Sequence, residues 1–244
     1  SALLYRRLRT TDSAVRVEPR MLRINWRCLS NILRIGLPAG VQGAMFAISN
    51  IVIQSAINSL GTVVMAASSA AFNIEVITYD ILNAYGQACS TFTGQNYGAG
   101  QTERCRRTLF LCLAEGLATL AVVIALLLGC GKTLLAIFND DPAVIETGYI
   151  RLMLVMLSHT LSLTYDVMSG YMRGFGISLA PAVLTTLGVC GVRICWVELV
   201  FPHSRTFRNL MTVYPVSLGV TAALIFAALL YYRPSHRKPG GALE

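Results

Sequence analysis

Residues 75–95 read Glu75-Val76-Ile77-Thr78-Tyr79-Asp80-Ile81-Leu82-Asn83-Ala84-Tyr85-Gly86-Gln87-Ala88-Cys89-Ser90-Thr91-Phe92-Thr93-Gly94-Gln95. Glu75, Tyr79, Asn83, Gln87, Thr91 and Gln95 recur at every fourth position. Fourth neighbours stack on one flank of an α-helix and drift about 40° per step. The spacing predicts one long helix with a slowly winding polar stripe, bordered by Asn73 and Asp80. A row of polar groups cannot face hydrocarbon cheaply, so the stripe must face other helices or water. Amides and threonines suit a hydrogen-bonded seam between helices. The carboxylate of Glu75 favours a water-lined cavity, because a charge at membrane depth is usually there to bind or relay something.

This helix is one of six long apolar stretches, at about 32–60, 62–93, 105–129, 142–172, 178–200 and 210–232. A helix needs about 20 residues to cross the hydrocarbon, and all six are long enough. Of the 244 residues, 55% are hydrophobic and 13% charged, whereas a soluble domain carries about 25% charged residues. The expected fold class is an all-α membrane protein with six transmembrane helices. The net charge of +8 does not point to nucleic acid, because the basic residues flank the apolar spans. Segments 1–34, 94–107, 173–177 and 233–244 carry 8, 3, 1 and 3 lysines and arginines, 15 together; the alternate segments carry 3. Positive charge marks the cytoplasmic side, so both termini of the chain are expected there.

No enzyme motif survives inspection. Gly131-Lys132-Thr133 resembles the end of a phosphate loop, but the required earlier glycine is Leu126. Gly174-Phe175-Gly176 lacks the third dinucleotide glycine, since position 179 is Leu. The seven cysteines form no CxxC pair and read as small apolar fillers. Neither a metal nor an organic cofactor is expected.

Span one repeats the fourth-residue device with Gln42, Asn50, Gln54 and Asn58, interrupted by Phe46. Span four offers Ser158, Ser162 and Asp166, with His159 and Tyr165 beside them. His159 reads as a proton shuttle or as a hydrogen-bonded packing residue. Arg193, in span five, is a candidate neutralising partner for Asp166. Arg151 reads as a side chain reaching out of the membrane near the end of span four. Glu115 is expected to be structural, and Asp140 and Asp141 to be acids at a helix start.

The ordered landmarks resemble a known family. Gly36-Leu37-Pro38 opens the first span. Gly94-Gln95-Asn96-Tyr97-Gly98-Ala99-Gly100 closes the second and is followed by Arg104. Phe138-Asn139-Asp140-Asp141-Pro142 precedes the fourth, Met172-Arg173-Gly174-Phe175-Gly176 ends it, and Pro181 and Arg193 fall in the fifth. This order resembles the C-terminal half of the multidrug and toxic compound extrusion (MATE) transporters, from about Ile32 to Tyr232. The resemblance implies a twelve-helix fold of two six-helix lobes, of which this chain is the second. Residues 1–31 would be the end of the preceding helix and the cytoplasmic inter-lobe linker, and 233–244 a cytoplasmic tail. It implies antiport of organic, typically cationic, compounds against H+ or Na+ in a bacterial inner membrane.

On this reading the partners are the N-terminal lobe of the same transporter, the lipid bilayer and small organic cations. The sodium-coupled branch of that family carries acids at the positions of Phe46 and Ser162. Coupling in this chain therefore falls to Glu75 and Asp166, or to the other lobe. Gln42, Asn50, Gln54, Asn73, Tyr79 and Asn83 are the expected cavity lining, with Tyr79 offering a π face to a cation. Two alternatives stand beside this one. A lipid-linked oligosaccharide flippase of the same superfamily would need a more basic cavity. A non-transporting membrane scaffold would hold Glu75 and Asp166 tightly paired and shielded from water.

Overall fold

The computed structural model describes residues 23–234, and the expected inter-lobe linker and C-terminal tail lie largely outside them. The described chain is helical almost throughout: α1 Trp26–Asn58, α2 Thr62–Gly98, α3 Thr102–Gly129, the short α4 Gly131–Ala136, and α5 Pro142–Gly174. Helices α6 Leu179–His203 and α7 Phe207–Tyr232 complete it. Five of these are long and apolar enough to cross a membrane: the Gly36–Asn58 part of α1, α2, α3, α6 and α7. Helix α5 is 33 residues long and carries Glu146, Arg151, Asp166 and Arg173 along its length. It takes its place by packing: its inward residues are the most extensively buried of any helix, and α2 and α5 share the largest helix–helix contact.

Helix α1 is divided at Pro38. Residues up to Leu37 belong to one compact unit and Pro38 onward to another. In the first unit the helix begins at Trp26, where Asn25 Oδ1 accepts from the backbone N–H of Arg27 at 3.0 Å and of Cys28 at 3.3 Å. This is the side-chain capping that asparagine favours at a helix start.

The main core runs through α2, α3, α5 and α7, with Leu82, Leu120, Met156, Leu163, Met172 and Ile225 fully enclosed. A second cluster joins Ile53 and Ile57 of α1 to Phe201 of α6 and Leu210, Met211 and Val213 of α7. Helix α2 does not break at Gly94, where the sequence pattern ends. It continues to Gly98 and stops where Gly100 takes φ +73°, a left-handed conformation that glycine adopts at little cost. Gly94 stays helical and lies beside α5, where a Cβ would meet the carbonyl oxygen of Gly174 at an ordinary contact distance of 3.6 Å.

Helix α5 begins as the acids before it suggested. Asp141 Oδ1 accepts from Ala143 N–H at 2.8 Å, and Pro142 occupies the first turn. Asp141→Ala is expected to lower stability by about 1 kcal/mol. The measurement is thermal unfolding of the full-length protein in detergent; an unchanged midpoint would show that the cap carries no weight. Helix α6 is irregular. π-helical turns at Thr186–Gly191 and Trp196–Val200 flank one regular turn, Val192–Cys195, which holds Arg193. Such widened turns rotate the side chains beyond them and are frequent where a helix carries function.

Candidate functional site

Five helices wall a cavity of 220 Å³. Phe46 and Asn50 come from α1; Phe72, Glu75, Val76 and Tyr79 from α2; Arg151, Val155, His159, Ser162 and Tyr165 from α5; Arg193 from α6; and Tyr214 and Leu218 from α7. A second cavity of 410 Å³ adjoins it and shares Asn50, Phe72, Arg151 and Tyr214. Gln54, Ser68 and Asn73 add to its lining.

Glu75 does not stand free in this cavity. Arg151 donates from Nε to Glu75 Oε1 at 2.8 Å and from Nη2 to Glu75 Oε2 at 2.9 Å. Its Nη1 donates to Ser68 Oγ. The planar guanidinium thus meets the carboxylate edge to edge, the geometry that makes such pairs strong. Both side chains are buried, Glu75 6% and Arg151 4% exposed. The reading of Arg151 as a side chain reaching out of the membrane is corrected. It turns inward because a desolvated carboxylate lies across the α2–α5 contact, and an inward guanidinium neutralises it.

Arg193 is placed differently from expectation. It forms no ion pair with Asp166. Its Nη1 donates to Asn50 Oδ1 at 3.3 Å, and its guanidinium carbon lies 4.6 Å from the centroid of the Tyr214 ring. Arg151 also approaches that ring, at 5.9 Å, so Tyr214 offers its π charge to both cations. Arg193 is 6% exposed, and its Nε is buried without a hydrogen-bond partner. Among the described residues it makes no ion pair. His159 is buried too, with Nδ1 unpartnered.

Asp166 is half-buried beside the α2–α5 crossing and lines neither cavity; a Cβ on Gly86 would lie 3.5 Å from its carboxyl carbon. Gln42 and Asn83 are half-buried and also line neither. Gln54 donates to Asn58 Oδ1 at 2.9 Å, and Asn73 donates to Ser69 O of its own helix at 3.0 Å. Tyr79 and Asn50 face the first cavity. The structure therefore gathers Glu75, Tyr79, Asn50 and Arg193, places Gln54 and Asn73 in the adjoining space, and leaves Asp166, Asn83 and Gln42 outside both.

Sequence reasoning missed Arg151 as a partner, and Phe72 and Tyr214 as walls. The spacing held a signal for Arg151. It stands four residues before Val155 and eight before His159, on the face that lines the cavity.

Long apolar helices closing around a cavity with charged walls define a multi-pass membrane protein. A family model described as MatE matches residues 38–197, and the chain belongs to the MatE family of multidrug efflux transporters. It is 25% identical to the probable multidrug resistance protein YoeA of Bacillus subtilis, over 91% of this chain and 47% of that protein. It is 27% identical to the probable multidrug resistance protein YpnP of the same organism, over 88% and 47%. A crystal structure of MATE in complex with MaL6 superposes with a TM-score of 0.82 at 18% identity, covering 96% of this chain and 53% of that one. That likeness concerns the fold. The chain spans about half the length of the relatives it matches.

Proposed function

We propose that this chain is the C-terminal lobe of an antiporter that exports organic compounds across a bacterial inner membrane in exchange for H+ or Na+. The N-terminal lobe of the same transporter would face its cavities, and both ends of this segment would be cytoplasmic, as the lysine and arginine distribution favours. The observation that carries the reading is the charged, aromatic-walled cavity among five membrane-length helices in a chain of this family. Transporter repeats place their sites where lobes meet near the midplane, and rocking of one lobe against the other exposes the site to each side in turn.

The scaffold alternative accounts for the Glu75–Arg151 pair but not for the space beside it. The flippase alternative gains one observation: the cavity holds two arginines and one carboxylate. For a cationic cargo the ring of Tyr79 remains, because Arg151 and Arg193 already lie over Phe72 and Tyr214. The geometry does not support a free acid, because Arg151 engages both oxygens of Glu75.

Dye efflux from energised cells expressing the full-length transporter tests the proposal. Export is expected to stop when either the proton or the sodium gradient is collapsed, and to survive collapse of the other. Export indifferent to both gradients would remove ion coupling. Lipid scrambling without dye export would replace the exporter by the flippase.

A further inference from the structure

The cavity contains one carboxylate, Glu75, and two guanidiniums, Arg151 and Arg193. The bidentate pair cancels the charge of Glu75 against Arg151, leaving one positive charge, on Arg193. This guanidinium is more than nine-tenths buried, lines the cavity, and among the described residues has only the neutral Asn50 and the ring of Tyr214 as partners. Without a counter-charge it is expensive to hold at membrane depth. The unpartnered Nδ1 of His159 lies in the same wall. Donor capacity and charge are thus both left over, and around them stand Phe46, Phe72, Tyr79 and Leu218.

We propose that Arg193 is the anchor of an anion-binding site in this lobe, and that the natural ligand is an amphipathic organic molecule bearing a carboxylate or phosphate. The oxyanion sits against the Arg193 guanidinium, and the apolar or aromatic body lies along the rings. Asn50 and Tyr214 hold the guanidinium in place, so it is ordered before the ligand arrives. Its irregular helix supports this. Arg193 occupies the single regular turn between two π-helical turns, and a change in those turns would rotate it toward or away from the cavity. The inference names the ligand class of the cavity on which the exporter proposal rests, and binding can be read without transport.

The experiment is equilibrium binding to the purified full-length protein, followed by fluorescence anisotropy. A fluorescein carboxylate and a rhodamine ester cation of similar size and shape are the two ligands. The anionic dye is expected to bind more tightly by about 10- to 100-fold, the range for a charge-assisted pair out of water. Arg193→Gln is expected to abolish that preference, and Arg193→Lys to restore part of it. Should Arg193→Gln fail to fold, Asn50→Asp, which sets a carboxylate beside the guanidinium, is expected to remove the anion preference, and an unchanged preference there overturns the site. Equal or tighter binding of the cation overturns the site, as does an anion preference that survives in Arg193→Gln.

Binding in nanodiscs of phosphatidylcholine, with and without phosphatidylglycerol, separates two sources of the anion. Dye binding lost only when phosphatidylglycerol is present supports the site and assigns it to a lipid phosphate. Dye binding indifferent to the lipid supports the site and assigns it to a soluble anion. Proteoliposome transport is measured in parallel. Anion binding without transport refutes the exporter reading and keeps the site; cation transport without anion binding does the reverse.

Discussion

Arg151→Ala is expected to lower the stability of the protein by about 3–5 kcal/mol. The substitution leaves Glu75 at 6% exposure with both carboxylate oxygens unpaired and Ser68 without its donor. The penalty measures an orphaned charge rather than the worth of the pair. A variant that removes both charges therefore separates the two quantities. Glu75→Met with Arg151→Met replaces the pair by side chains of similar volume, and such exchanges are often neutral or stabilising.

Thermal unfolding of the full-length protein in detergent, read beside its abundance in membranes, is the measurement. The single variant should melt far below the parent and the double variant close to it. An Arg151→Ala protein with the parent's midpoint would show that the pair bears no load. The double variant also reports on mechanism. If it is as stable as the parent yet exports nothing, the pair serves transport; if it exports normally, the pair is a fastening between α2 and α5. Glu75→Gln is read in the same light. From the sequence, this change is expected to lower export and leave abundance alone. With Arg151 buried against it, the change should lower both.

The membrane fold was legible because its signals are local. Span lengths, flanking arginines and the fourth-residue stripe each need only a window of one helix. The ends of helices were less so. Gly94 reads as a break, yet the helix runs through it to Gly98; a glycine inside a helix weakens it by about 0.5–1 kcal/mol and does not by itself end it.

The stripe on α2 shows the same division. Its pattern suggested a seam or a cavity, and parts of it are neither. Thr91 donates to Gln87 O at 2.9 Å, and the neighbouring Asn96 donates to Phe92 O at 2.8 Å. Side chains that bond their own helix one turn back satisfy themselves without any partner helix. Only the upper end of the stripe, Glu75 and Tyr79, reaches the cavity. Charge pairing was the least legible feature. Asp166 and Arg193 lie 27 positions apart and form no pair, whereas Glu75 and Arg151 lie 76 apart and meet. Sequence gives the signs of the charges; the crossing of α2 and α5 decides which of them touch.

At that crossing α2 and α5 come within backbone contact. Gly86 of α2 and Gly170 of α5 lie one against the other. A Cβ built on Gly170 would overlap the carbonyl oxygen of Gly86 and approach its carbonyl carbon to 3.2 Å. The obstacle is backbone, so no rotamer change can relieve it. Small residues at such a point let two helices come close enough for their backbones to touch, the usual basis of helix association in lipid. Adding a side chain must push α2 away from α5, and with it Glu75 away from Arg151. Gly170→Ala is expected to lower stability by about 1–3 kcal/mol, and Gly170→Val by more than that.

Losses of this size reduce abundance in membranes several-fold. The control is Gly191→Ala, where a Cβ would meet nothing within 4 Å and φ is −59°. Replacing a helical glycine there is expected to stabilise by about 0.5–1 kcal/mol. Unfolding midpoints of the three variants, ordered with Gly191→Ala at the top and Gly170→Val at the bottom, would tie the Glu75–Arg151 geometry to the helix crossing. A Gly170→Val protein that melts with the parent would mean that α2 and α5 do not meet at this point, and the cavity walls would have to be drawn again.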